Sequence, residues 1–174
     1  SLSSMVAALT HEKKEMLNSK PLMDEIGIEA QSLKDRLSDL INEDTKAFNS
    51  VIAAIRLPQN TKEEKVYKDA AIQIANKYAI EIPMETAEKC FRVLQLSEKL
   101  VDNGNPNSVS DAGVAAEVAL AGVRAAGMNV MINLSGLEDS SYVEDTQNKI
   151  NELINDSEAL HKTIYNKTLL IIKS

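Results

Sequence analysis

Between Ser108 and Leu137 the sequence carries only three charged side chains, Asp111, Glu117 and Arg124, within a run of Ala, Gly, Val, Met, Leu and Ile. No other stretch constrains the fold as strongly. A helix washed by solvent alternates charged and apolar positions, so this one is expected among other helices, buried nearly all round. Ala112, Gly113, Ala115, Ala116, Ala119, Ala121, Gly122, Ala125, Ala126 and Gly127 carry little side chain, so neighbouring helices must approach the backbone itself. The segment therefore reads as a central helix or as a helix at a subunit interface.

The remainder is helical by period. Apolar residues recur three and four apart and no alternating strand pattern is seen. A first helix is expected to end near Ser19, before Pro21. A second runs from about Met23 to Leu57 with Ile26, Ala30, Leu33, Leu37, Leu40, Ile41, Phe48, Val51, Ile52 and Ile55 on its apolar positions, and Pro58 stops it. Thr61 and Glu64 form a capping box that opens a third, running to about Glu81. Pro83 is expected to divide it from a fourth, which ends at Asn103-Gly104. The Ala/Gly-rich helix is fifth, and a polar sixth runs from about Tyr142 to Ile172. The fold class is all-α: residues 1–174 as a single domain, a bundle of long antiparallel helices around the Ala/Gly-rich one.

Composition narrows the function. A net charge of −7 argues against nucleic acid, which is held by concentrated Lys and Arg. The one cysteine, Cys90, cannot form an intrachain disulfide and reads as a packed hydrophobe in a reducing, cytoplasmic setting. No membrane role is expected, because Asp, Glu, Arg and Asn interrupt the Ala/Gly-rich run. A carboxylate-bridged metal bundle needs paired Glu-x-x-His elements, and only Glu158 with His161 supplies one, so no metal is expected.

Two carboxylates stand out. Asp44 lies four and three residues after Leu40 and Ile41 and four before Phe48, which places it on the apolar stripe. A carboxylate there needs a partner or a task. Asp111, after Ser110 at a helix start, suits plain capping or the helix dipole. Asn103, Asn105 and Asn107 are ordinary turn residues beside Gly104 and Pro106, yet they concentrate donors and acceptors. Asn129 and Asn133 share a helix face in an apolar segment, so they either bond to a neighbouring helix's backbone or hold a ligand. Asp111 and Asn129 are in angular register, but eighteen residues of helix hold them about 27 Å apart, which favours the structural reading.

The wording GNPNSVSDAGVAA followed by NVMINL resembles the cyclodeaminase domain of the formiminotransferase-cyclodeaminase family and its stand-alone methenyltetrahydrofolate cyclohydrolases. Asp44-Thr45-Lys46-Ala47-Phe48, Arg56-Leu57-Pro58, Ile82-Pro83-Met84 and Ser4 to Thr10 resemble further elements in the family's order. The resemblance implies a homodimer that acts on the one-carbon unit between N5 and N10 of tetrahydrofolate, with folate as substrate and no cofactor. It implies catalytic roles for Asp44 and Asp111 and substrate contacts from Asn103, Asn105, Asn107 and Ser110. Lys13 or Lys14 and Arg56 are the cations expected to hold the substrate's glutamate tail. The family's Pro-Gly-Gly-Gly-Ser segment has no counterpart here, and Ala8 stands where the family has Asn. The competing reading is a helical oligomerisation or adaptor module without catalysis. The two differ in whether Asp44 and the Asn103–Asp111 turn converge on a pocket or lie over a filled core.

Overall fold

The computed structural model describes residues 1–173, the side chains of Lys14, Glu15 and Leu17 excepted. It contains five helices, α1 (Leu2–His11), α2 (Lys20–Ile55), α3 (Lys62–Asn103), α4 (Val109–Leu134) and α5 (Ser140–Lys173), and no strand among the described residues. Connections of a few residues join α2 to α3, α3 to α4 and α4 to α5, so each runs antiparallel to the one before and α2 is parallel to α4. Helix α3, 42 residues long, is the spine, about 63 Å from end to end. Helix α2 lies on one side of it, α4 and α5 on the other, while α2 and α4 scarcely touch each other.

Local chemistry sets the ends. Thr61 caps α3 by accepting the Glu64 N–H at 3.1 Å, and Glu64 accepts the Thr61 N–H in return. The first helix stops at His11, and a short 3-10 segment with a non-helical Met16 separates it from α2. Proline is tolerated in a helix's first turn, where its missing N–H would go unpaired anyway. Pro21 therefore opens α2 instead of following a gap.

Pro83 does not divide α3. It sits buried inside one continuous helix, and its missing N–H leaves the Ala79 carbonyl without its usual partner. Asn133 of α4 donates its side-chain N–H to that oxygen at 2.8 Å. This is the neighbouring-backbone role expected of Asn133, and it explains why the proline is accommodated.

The core runs through all five helices, with Met23, Ile26, Leu94, Leu96, Leu100, Val123, Val130, Ile150 and Ile164 at its centre. Helix α2 contributes a narrow seam: Ile26, Leu33, Leu40, Ala47 and Ala54, seven apart, are buried, whereas Ile41, Phe48 and Ile55 are exposed. Beyond its first turns it packs chiefly on α3, so one row suffices. Helix α4 also departs from expectation. Ala112, Ala116, Ala119, Val123, Ala126 and Val130 are buried against its neighbours, but Val114, Val118, Met128 and Ile132 face outward. Helices α3, α5 and α1 cover three of its sides and leave the fourth bare. The run Pro106–Leu134 is long and apolar enough to span a membrane by length and composition, a test that a bundle's core helix also passes.

Candidate active site

Because α2 and α4 lean on α3 without meeting, a trough runs between them with α3 as its floor. One end, about 400 Å³, is lined by Leu37, Ile41, Asp44 and Thr45 of α2, Pro83 and Thr86 of α3, and Gly122, Ala125 and Asn129 of α4. The other end, about 420 Å³ and mostly apolar, has Lys34, Leu37 and Ile41, then Cys90 and Val93, then Ala115, Val118 and Ala119, with Ser1 and Leu2 closing it. Leu37 and Ile41 line both, so the two ends adjoin. Each end has the size of an ordinary small-molecule cleft, roughly 300–1,000 Å³.

The trough narrows where α3 and α4 come together. A Cβ on Gly122 would lie 2.6 Å from the Cys90 sulfur, so only glycine fits against that side chain. Burial pushes the Cys90 thiol up from its usual pKa, which suits a packing residue rather than a nucleophile.

Asp44 is not on the buried seam. It is exposed and opens onto the trough, one position off the Leu40/Ala47 row. Asn129, read from sequence as structural, lines the same end and is exposed there. It is the one polar residue among the α4 side chains that wall the trough. Lys34, ten residues before Asp44 on the same helix, lines the far end and pairs with Asp35 at 3.0 Å. Ten helical residues put the two charges about 15 Å apart along the axis. Sequence reasoning singled out neither Lys34 nor the place of Asn129 on an open cleft. The seven-residue spacing of Lys34, Ile41 and Phe48 was a usable signal, since it sets Lys34 on the row that borders the trough.

The Asn103–Asp111 turn is elsewhere. Asn105 is buried, its backbone N–H donating to the Thr10 hydroxyl at 2.9 Å and its side-chain oxygen accepting from Asn107 N–H at 3.1 Å. Asn103 donates its amide to the Lys99 carbonyl at 3.0 Å. Asn107 and Ser110 are exposed, and Asp111 is half-buried one turn before Ala115. The turn thus adjoins the apolar end of the trough, while Asp44 faces Asn129 at the opposite end. The expected convergence of Asp44 with this turn does not occur within one chain, because a straight α4 keeps its ends about 27 Å apart. Nor is there a filled core beside Asp44, as an adaptor would require. Arg56, the C-cap of α2, lies twelve residues beyond Asp44, about 18 Å along the axis. Neither it nor Lys13, which follows α1, lines the trough. The side chain of Lys14 falls outside the described residues. Among the described residues no cluster of His, Cys, Asp and Glu is arranged to hold a metal.

Residues 1–152 match the family model described as formiminotransferase-cyclodeaminase. Among curated proteins the chain is 37% identical to the methenyltetrahydrofolate cyclohydrolase of Methylorubrum extorquens, over 94% of its own length and 79% of that protein's. It is 30% identical to the formimidoyltransferase-cyclodeaminase of Rattus norvegicus, over 90% of its own length but only 29% of that longer protein. The crystal structure of formiminotetrahydrofolate cyclodeaminase from Thermotoga maritima superposes with a TM-score of 0.78 at 27% identity, covering 99% of this chain and 80% of the other. A helical trough of this geometry, a family match across most of the chain and relatives that align along nearly its whole length agree on one conclusion: the chain belongs to the formiminotransferase-cyclodeaminase family.

Proposed function

We propose that this protein is a methenyltetrahydrofolate cyclohydrolase that holds its substrate along the trough. The observation that carries the reading is Asp44 beside Asn129 at one end of an apolar cleft whose far end has Lys34. A reduced folate has a matching order of parts: a pterin edge rich in donors and acceptors, an apolar benzoyl middle and an anionic glutamate. Asn129 suits the first, Leu37, Ile41 and Cys90 the second, and Lys34 the third.

The chemistry needs one proton carrier. Water adds to the carbon bridging N5 and N10, a C–O bond forms, and a carboxylate takes the water's proton. The C–N5 bond then breaks as the new hydroxyl loses its proton and N5 gains one, leaving the formyl group on N10 and one proton released overall. In this reading Asp44 accepts and returns that proton. The same site suits a second reading, formiminotetrahydrofolate cyclodeaminase, favoured by the superposition on the Thermotoga maritima enzyme. There N10 attacks the formimino carbon and ammonia leaves, again with one proton taken up and one supplied. Either activity fits a cytoplasmic homodimer.

The deciding assay follows the near-ultraviolet absorbance of 5,10-methenyltetrahydrofolate with the full-length protein. Faster decay that Asp44→Asn slows at least about 100-fold, as loss of a general base does, supports the first reading. No acceleration, together with ammonia release from 5-formiminotetrahydrofolate, supports the second. Neither activity, with no folate effect on thermal stability, would sink both.

A further inference from the structure

We infer that Thr86 makes the trough select a reduced pterin ring, by accepting the N8–H that a fully oxidised ring lacks. The inference rests on the reading given above, in which the pterin lies at the Asp44 end.

Thr86 is half-buried on the floor of that end, three residues after Pro83. Its hydroxyl donates to the Ile82 carbonyl, four residues back, at 3.0 Å. Threonine in a helix often makes this bond, and here it fixes what the side chain can offer. A hydroxyl has one proton and two lone pairs. With the proton held by Ile82, Thr86 shows a ligand lone pairs only. Turning the proton toward a ligand acceptor would leave two oxygens facing each other at 3.0 Å with no hydrogen between them.

The rest of this end has the same sign. Thr45, on the α2 wall, donates its hydroxyl to the Ile41 carbonyl at 3.2 Å and is likewise left as an acceptor. Asp44 beside it only accepts when ionised. Among the described residues that line this end, Asn129 alone has a side-chain N–H to give. Three acceptors against one amide suit a ligand edge rich in N–H donors.

A pterin meets that demand differently at each oxidation level. Its 2-amino group and N3–H donate at every level, so they distinguish nothing. N8 changes: it carries a hydrogen in the dihydro and tetrahydro rings and is a bare acceptor in the oxidised one. N5 and N8 lie opposite each other across the pyrazine ring. A ring that turns N5 and its one-carbon unit to Asp44, exposed on the α2 wall, turns N8 down to the floor, where Thr86 lies. Against N8–H the threonine lone pair gains a hydrogen bond. Against a bare N8, two acceptors are pressed together and neither is satisfied. A site built to hydrogen-bond an N–H rejects the analogue without it far more strongly than an apolar pocket rejects a missing methylene.

N8 forms and breaks no bond when water adds or when C–N5 cleaves. The contact with Thr86 is therefore the same before and during reaction, and its loss should raise KM without lowering kcat.

The test compares 7,8-dihydrofolate with folic acid, which differ only by the two hydrogens on C7 and N8, in equilibrium titrations of the full-length protein. Wild type is expected to bind 7,8-dihydrofolate at least about 10-fold more tightly. Thr86→Val keeps the branched shape and removes the oxygen, and Thr86→Ala removes it with less bulk. Either should bring the two affinities within about 2-fold and raise KM for 5,10-methenyltetrahydrofolate about 10-fold at unchanged kcat. Thr86→Ser should keep both the preference and the wild-type KM. Oxygen-free variants that retain the preference, or a wild type that shows none, would overturn the inference. A wild type that binds neither ring and leaves 5,10-methenyltetrahydrofolate untouched would instead remove the reading beneath it, and the inference with it.

Discussion

Asn133 replaces the hydrogen bond that Pro83 removes: its side-chain N–H reaches the Ala79 carbonyl, four residues before the proline, at 2.8 Å. The pair works as a unit, since neither the proline's gap nor the amide's insertion makes sense alone. Asn133→Ala should cost about 1–3 kcal/mol by leaving that carbonyl unpaired. In a Pro83→Ala background the backbone supplies its own N–H, and the cost of Asn133→Ala should fall below about 0.5 kcal/mol. Urea unfolding of the four proteins in the cycle checks this, and equal costs in both backgrounds would refute it.

Gly122 and Cys90 form a second coupled pair. Gly122→Ala places a methyl 2.6 Å from the Cys90 sulfur, and overpacking of this kind outweighs the gain in helix propensity, for a net loss of about 1–2 kcal/mol. Removing the sulfur with Cys90→Ala should convert the same change into a gain of roughly 0.5–1 kcal/mol, because only the propensity term is left. Thermal melts of the single and double variants distinguish the two signs.

Across the α2–α3 contact, Arg92 holds Glu29 with Nη2 2.8 Å from Oε2. That hydrogen bond lowers the Glu29 pKa from its usual 4.5 against the opposing pull of burial. A depressed carboxylate contributes stability above its unfolded pKa and loses it as pH falls through the folded one. Glu29→Gln should therefore cost about 1 kcal/mol at pH 7, a figure that allows for a pair roughly a third exposed. The difference from wild type should shrink as pH falls below 4.5. A difference unchanged between pH 7 and pH 3 would show that the ion pair is not its cause.

Thr168 is fully buried at its hydroxyl and, among the described residues, is the buried side-chain polar group that lacks a hydrogen-bond partner. It packs where Gly113 brings α4 close to α5. Thr168→Val keeps the shape and removes the unpaired oxygen, so it should raise stability by about 1 kcal/mol. A higher urea midpoint at unchanged slope is the expected reading.

Much of this was legible in the residues. Periodicity gave the all-α class and most helix ends, because buried seams such as Ile26, Leu33, Leu40, Ala47 and Ala54 repeat at helical spacing whatever they pack on. The Thr61 capping box and the stop at Gly104 were local chemistry and held. Pro83 was misjudged because its remedy, Asn133, is distant in sequence and belongs to another helix. Asp44 was expected on the buried stripe, but it is exposed, and the row it occupies borders an opening that only the separation of α2 from α4 creates. Sequence register gave the distance between Asp111 and Asn129. It said nothing about the trough that makes one end of that distance a cleft.

The unequal lengths of α3 and α4 have a consequence for how the molecule opens. Gly136, just past α4, accepts hydrogen bonds from Gln73 and Asn76 of α3 at 3.1 and 3.2 Å, which marks where the third layer ends. Beyond that level the first turns of α3 and the last of α2 form a two-helix arm, most of whose residues from Ile55 to Ala70 are exposed. An arm with one neighbour has few contacts to lose, so its amide protons should trade with solvent through small openings. Those around Leu94 and Leu96 should wait for the whole chain to unfold. A single continuous helix thus spans the extremes of local stability, and the gradient along it points from the arm toward the trough.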